Sequence, residues 1–197
     1  MMPYRLGLTG SIGMGKSTTA GFFVAAGVPV WDADAAVHRM YSVGGAAVAD
    51  IAARWPQALS AGAIDRSALK KIIVADPTAL TQIEQIVHPL VAQDRADFLA
   101  GCTTDIAVFD IPLLFEKGTE ADMDATLLVT APPALQRARV LARDGMTAAQ
   151  FETILSRQMP DVEKRQRAMH IVETLSLEAV STYVTALIAY IREQRHA

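Results

Sequence analysis

The segment Gly10-Ser11-Ile12-Gly13-Met14-Gly15-Lys16-Ser17 restricts the fold of this chain more than any other. Its spacing, G-x-x-x-x-G-K-[ST], curls the backbone so that successive N–H groups converge on an anion. Glycines permit the dihedrals and the close approach that this loop needs. Lys16 is placed to reach the β- and γ-phosphates of a nucleotide, and the Ser17 hydroxyl to offer a ligand to Mg²⁺. Such a loop works only between a strand and a helix whose N-terminus faces the phosphates. Both are expected here. Tyr4 to Thr9 is a short, mostly apolar run, and Ser17 to Ala26 reads as a helix that Gly27 stops. Gly10 to Thr18 is therefore the expected binding segment for ATP or GTP.

The rest of the chain supplies a sheet for that loop. Val28 to Trp31 reads as a second strand ending at Asp32, followed much later by Asp105–Ile111, Ala125–Ala131 and His170–Thr174. Strands separated by helices imply a mostly parallel sheet with helices on both faces. The connection from Asp32 to Asp105 is too long for a simple crossover and too patterned for a loose loop. Asp76-Pro77 has the form of a helix start, and Leu80, Ile83, Val87, Leu90, Val91, Asp94 and Phe98 follow at helical spacing, one charge in an otherwise apolar stripe. His88-Pro89 is expected to interrupt that helix with a local kink. Asp65 is placed to cap an earlier helix carrying Leu69, Ile72 and Ile73. A helical insertion over about residues 35–104 is thus expected inside a single domain. Ser176 caps a last helix whose stripe of Leu177, Val180, Val184, Leu187, Ile188 and Ile191 is core packing.

Composition narrows the partners. The formal net charge is −3 and gives no broad electrostatic case for nucleic acid. Cys102 is the single cysteine, so no disulfide forms within the chain. The longest uncharged stretch, Ser17 to Trp31, contains Gly21, Gly27 and Pro29 and falls short of the roughly 18 apolar residues of a spanning helix. The N-terminus has no signal-peptide pattern. A cytoplasmic protein with a small-molecule partner and no membrane is expected.

Phosphate loops serve switches, motors and kinases alike. The chain contains no asparagine, which closes the usual Asn-Lys-x-Asp route to reading guanine. It carries no assembly signature of a motor. A small-molecule kinase needs a group that orients the acceptor hydroxyl, cations over the transferring charge, and closure against water. Asp32 sits at the C-terminal end of strand two, where ligands of open α/β sheets collect, and either accepts the hydroxyl proton or caps the next helix, or does both. Asp34, two residues on, is a second candidate. Gln136, Arg139 and Arg143 are spaced by three and four on one helix face, as phosphate-covering lid arginines or as a solvated basic face. Asp110 ends an apolar strand, either as a carboxylate near Mg²⁺ or as a capping or structural residue, and Pro112 turns the chain out of the ladder after it.

Taken in order, "LTGSIGMGKST", "VPVWDADAAVH", "GAIDRSAL", "VHPLV", "FDIPLLFEKG", "LQRARVLARDG" and "RQMP" resemble the dephospho-coenzyme A kinase family over nearly the whole chain. The resemblance implies an α/β, P-loop kinase-like three-layer fold with a mostly parallel sheet, a helical substrate cap and a lid over about residues 136–160. It implies ATP and Mg²⁺ as cofactors, and transfer of the γ-phosphoryl group to the 3′-hydroxyl of the dephospho-coenzyme A ribose. In that reading Asp32 is the base, Lys16 and Ser17 handle phosphate and metal, and Arg139 and Arg143 belong to the closing lid. Asp34, Arg66, His88 and the loop with Pro112, Leu114 and Glu116 face the acceptor. The chain departs from the family pattern at Met14, where Ser is frequent, and at Met169 and Thr174, where Asp and Asn are usual.

Overall fold

Short, mostly apolar runs of five or six residues become the interior strands. In the computed structural model, which describes residues 2–196, the strands are β1 (Tyr4–Thr9), β2 (Val30–Asp32), the two-residue β3 (Leu59–Ser60) and β4 (Ala63–Ile64), β5 (Ile106–Asp110), β6 (Ala125–Thr130) and β7 (His170–Glu173). Five of them form one sheet in the order β2-β5-β1-β6-β7. β1 pairs in parallel with β5, Leu6 facing Val108, and with β6, Leu8 facing Leu127; β7 pairs in parallel with β6. Every residue of β5 and β6 is buried, as expected of parallel strands covered on both faces. This is the mostly parallel sheet of a P-loop kinase fold.

Nine helices of seven to 24 residues make up most of the remaining regular structure among the described residues. They are α1 (Lys16–Ala25), α2 (Ala33–Tyr41), α3 (Val48–Arg54), α4 (Arg66–Ala75), α5 (Thr78–Gly101), α6 (Pro133–Leu141), α7 (Ala148–Leu155), α8 (Asp161–Arg167) and α9 (Leu177–His196). The expected stripe of α9 supplies Val180, Val184, Leu187, Ile188 and Ile191 to a core shared with Leu6, Leu8, Phe23 and Leu127. Ser176 Oγ accepts the Ala179 N–H at 3.1 Å, capping that helix. No helix among the described residues is long and apolar enough to cross a membrane.

The backbone divides into two compact units. One holds the chain up to Trp31 together with the chain from Cys102 onward, and contains the phosphate loop; the other is Asp32–Gly101. Within the second, Asp65 caps α4 by accepting the Ser67 N–H at 2.7 Å, and Asp76 accepts the Thr78 N–H at 2.9 Å at the start of α5. One expectation needs correction there. α5 runs unbroken for 24 residues through Pro89, because one missing N–H is tolerated in a helix whose Ile83 and Val87 are buried. A hairpin of β3 and β4 also forms around Ala61 at φ 49° and Gly62 at φ 80°.

Candidate active site

The phosphate loop leaves β1 and enters α1 through Gly15, which has φ 92°, a conformation that a side chain would strain. At Gly10 the constraint is space instead. A Cβ there would lie 2.3 Å from Val129 Cγ2 and 2.7 Å from the Val129 carbonyl, so the loop runs directly against β6. Met14 is buried, its sulfur 3.0 Å from the Ala131 N–H. The residue that departs from the family pattern thus anchors the loop to the end of β6 through its side chain. Lys16 forms an ion pair with Asp110 at the end of β5, and Asp110 is 2% exposed. The pair gives the lysine a carboxylate partner at the mouth of the loop.

Beside the loop lies a pocket of about 380 Å³, lined by Gly15, Thr18, Arg139, Arg143, Thr174 and Ser176 among others. Thr174 organises its floor. Its hydroxyl accepts from Arg139 Nη1 at 2.8 Å and has two acceptors for its one proton, the Met14 carbonyl at 2.8 Å and the Thr130 carbonyl at 3.2 Å. Position 174, another departure from the family pattern, therefore ties β6, the phosphate loop and Arg139 together. Arg139 lies on α6, whereas Arg143 comes two residues after α6 ends; the expected single helix face is broken, yet both arginines line the pocket. Gln136, one turn before Arg139 on α6, has a different partner. It is buried, and its Nε2 donates to the Ile12 carbonyl at 2.8 Å. Arg137 pairs with Glu152 at 2.7 Å, joining α6 to α7.

Asp32 is the N-cap of α2, accepting the Ala35 N–H at 2.9 Å. Asp34, in the first turn of the same helix, is exposed. Arg66 opens α4 and is exposed; burial raises the pKa of Tyr41, and the Arg66 charge opposes that shift. The His88 side chain is mostly exposed, 3.9 Å from Glu84. In the loop after β5, the Pro112 carbonyl accepts from Thr9 Oγ1 at 3.2 Å. Leu114 is fully buried, and Leu114 Cδ2 lies 3.0 Å from where a Cβ on Gly7 would be. Its side chain is therefore a core element under β1, not one presented at a surface.

Glu116 is held inside this same unit. Its Oε1 accepts the Met159 N–H at 2.9 Å and lies 2.8 Å from Nζ of Lys164, which is fully buried. Burial acts to raise the Glu116 carboxyl, but pairing with Lys164 and the Met159 N–H outweighs it and holds the group below its ordinary value of 4.5. Lys164 has no counterpart among the sequence expectations; it lies in the charge-rich segment "DVEKRQR" of α8. Gln158, which accepts the Ile12 N–H at 3.0 Å, was also without an assigned role, although it lies within "RQMP".

Among the described residues no group of three or more His, Cys, Asp or Glu side chains is arranged to hold a metal ion. A Mg²⁺ that travels with nucleotide phosphates needs only one or two protein oxygens. Ser17 and Asp110, the partner of the adjacent Lys16, have the required hard-oxygen chemistry.

The model of the dephospho-CoA kinase family matches residues 4–178. A relative from Cereibacter sphaeroides that bears the name dephospho-CoA kinase is 68% identical over 197 residues, covering 100% of both chains. The crystal structure of TT1252 from Thermus thermophilus superposes with a TM-score of 0.85 at 36% identity, covering 96% of this chain and 98% of that one. The dephospho-CoA kinase from Campylobacter jejuni shares the fold, with a TM-score of 0.72 at 21% identity over 98% of this chain and all of its own.

Proposed function

The chain belongs to the dephospho-CoA kinase family, and we propose that it moves the γ-phosphoryl group of ATP to the 3′-hydroxyl of the dephospho-coenzyme A ribose. The activity of the family, the last step of coenzyme A biosynthesis, is this enzyme's activity. The observation that carries the chemistry is the phosphate loop seated between β1 and α1, with Lys16 on Asp110 and with Arg139 and Arg143 lining the adjoining pocket.

In this reading Gly10 to Thr18 wrap the phosphates, and the first-turn N–H groups of α1, which have no acceptor within the helix, face the anion. Lys16 exchanges Asp110 for phosphate oxygens when ATP arrives. Ser17 and Asp110 would hold Mg²⁺, which neutralises phosphate charge when bound. Arg139 and Arg143 cover the developing charge from a lid spanning about residues 136–160. Asp32 takes the hydroxyl proton, its second oxygen serving as the base while the first caps α2. Asp34, Arg66 and His88, in the insertion of about residues 35–104, are acceptor contacts, as are Pro112 and Glu116 in the loop after β5. Leu114 supports that loop from the core. The protein works in the cytoplasm.

An ADP-release assay with ATP, Mg²⁺ and a panel of acceptors tests the reading. Dephospho-coenzyme A should give turnover far above buffer. Turnover with a nucleoside monophosphate, but none above buffer with dephospho-coenzyme A, would overturn it.

A further inference from the structure

Two glutamines grip the crest of the phosphate loop, and phosphoryl transfer as described above uses neither. The Ile12 N–H donates to Gln158 Oε1 at 3.0 Å, and the Ile12 carbonyl accepts from Gln136 Nε2 at 2.8 Å. The orientation of each amide follows from its partner. A peptide N–H can only donate, so Gln158 presents its oxygen; a carbonyl can only accept, so Gln136 presents its nitrogen.

These two bonds fix two successive peptide planes. Because a trans peptide is planar, its C=O and N–H point in opposite directions. Holding the Ile12 carbonyl on Gln136 therefore turns the Gly13 N–H to the opposite side. Holding the Ile12 N–H on Gln158 turns the Ser11 carbonyl away from Gln158, where it accepts the Met14 N–H at 3.1 Å. Gly13 has φ 77°, so this peptide sits next to the residue with the least resistance to flipping. A flipped plane would aim a carbonyl oxygen at the place meant for a phosphate.

Both glutamines are themselves braced. Gln136 is 4% exposed on α6, and its carbonyl oxygen lies 3.1 Å from where a Cβ on Gly13 would be, so the helix rests on the loop. Gln158 lies in the turn between α7 and α8. Its neighbour Met159 is bound to Glu116, which pairs with the buried Lys164. Arg139 and Arg143 lie between the two glutamines in sequence, so the arginine-bearing segment touches the loop crest at both ends.

Resting on the phosphoryl-transfer reading, we infer that Gln136 and Gln158 are positioning residues that hold the peptides on either side of Ile12 in the orientation that receives phosphate, and keep the arginine segment in register with the loop. Amide hydrogen exchange of the nucleotide-free protein, alongside steady-state kinetics, tests this with Gln158→Met and Gln158→Glu. Methionine keeps the shape and loses the acceptor; glutamate keeps the acceptor. Gln158→Met should speed exchange of the Ile12 amide and lower kcat/KM for ATP, each by about tenfold, the scale of one lost hydrogen bond. The KM for dephospho-coenzyme A should stay within twofold of wild type. Gln158→Glu should retain protection at Ile12. Gln136→Met should lower kcat/KM for ATP similarly while Ile12 stays protected.

A side chain that only fills space would give the reverse order, with methionine tolerated and glutamate not, and that result overturns the inference. So does wild-type exchange at Ile12 in Gln158→Met, or wild-type kinetics in both methionine variants with native melting profiles. Exchange is read without nucleotide or acceptor, so a wild-type protein that failed to turn over dephospho-coenzyme A would overturn the reaction while the Ile12 measurement still judged the peptide grip.

Discussion

Replacing Lys164 with methionine removes one charge from the interior and little volume. The lysine side chain is fully buried, and its partner Glu116 retains 15% exposure. Breaking a buried pair by removing one member typically costs about 3–5 kcal/mol, because the other charge is left desolvated. The residual exposure of Glu116, and the Met159 N–H that continues to bind it, reduce this to about 2–4 kcal/mol at neutral pH. At the size of this chain that corresponds to a fall in Tm of roughly 5–15 °C.

The pH dependence has a definite sign. In the wild type the folded Glu116 carboxyl titrates below 4.5, so its stabilisation is present above that value and is lost as pH falls through the lower folded pKa. Without Lys164 the dominant influence is burial, which raises the folded pKa above the unfolded one. The penalty is then largest at high pH and fades as the pH approaches 4.5. Denaturant unfolding of both proteins from about pH 8 to about pH 5 should show the deficit shrinking. The double variant Lys164→Met/Glu116→Gln, with no charge left to strand, should recover most of the loss. A Lys164→Met protein within about 0.5 kcal/mol of wild type at neutral pH would refute the reasoning, since that is the scatter of ordinary surface substitutions. So would a deficit that does not change with pH.

Other outcomes follow from the site. Asparagine caps a helix as well as aspartate, so Asp32→Asn should leave α2 and the melting temperature intact while lowering kcat by about a hundredfold or more in the ADP-release assay. An unchanged kcat would reduce Asp32 to a cap. Thr174→Val preserves shape but strips the hydroxyl that joins Arg139 to the Met14 carbonyl. It should cost about 1–3 kcal/mol in denaturant unfolding and raise the KM for ATP; wild-type values of both would refute the role given to that hydroxyl.

The parts legible in the sequence are those whose cause is local. β1 was bounded at Tyr4 and Thr9 by an apolar run closed by glycine, and Asp65 and Asp76 announced the helices they cap. Elsewhere the deciding partner is distant in the chain. Lys164 is a core residue only because Glu116, 48 positions earlier, reaches it, and nothing within α8 distinguishes it from its solvated neighbours. Gln136 fell into a periodicity argument with Arg139 and Arg143, but spacing cannot reveal that its amide is taken up by Ile12. Pro89 misled for the opposite reason. Its local rule is sound, yet the apolar face of α5 outweighs one lost hydrogen bond.

The position of β1 in the middle of its sheet has a consequence for how the enzyme is born. The phosphate loop leaves the ribosome well before the partners of its strand, since β5 and β6 follow about a hundred residues later. Its last fastener, Thr174, stands 160 residues beyond Met14. At roughly 5–20 residues per second, the nascent loop spends roughly 8–30 s without the frame that shapes it. Long-range closure of this kind is slow to nucleate. The loop is made long before it becomes able to hold a nucleotide.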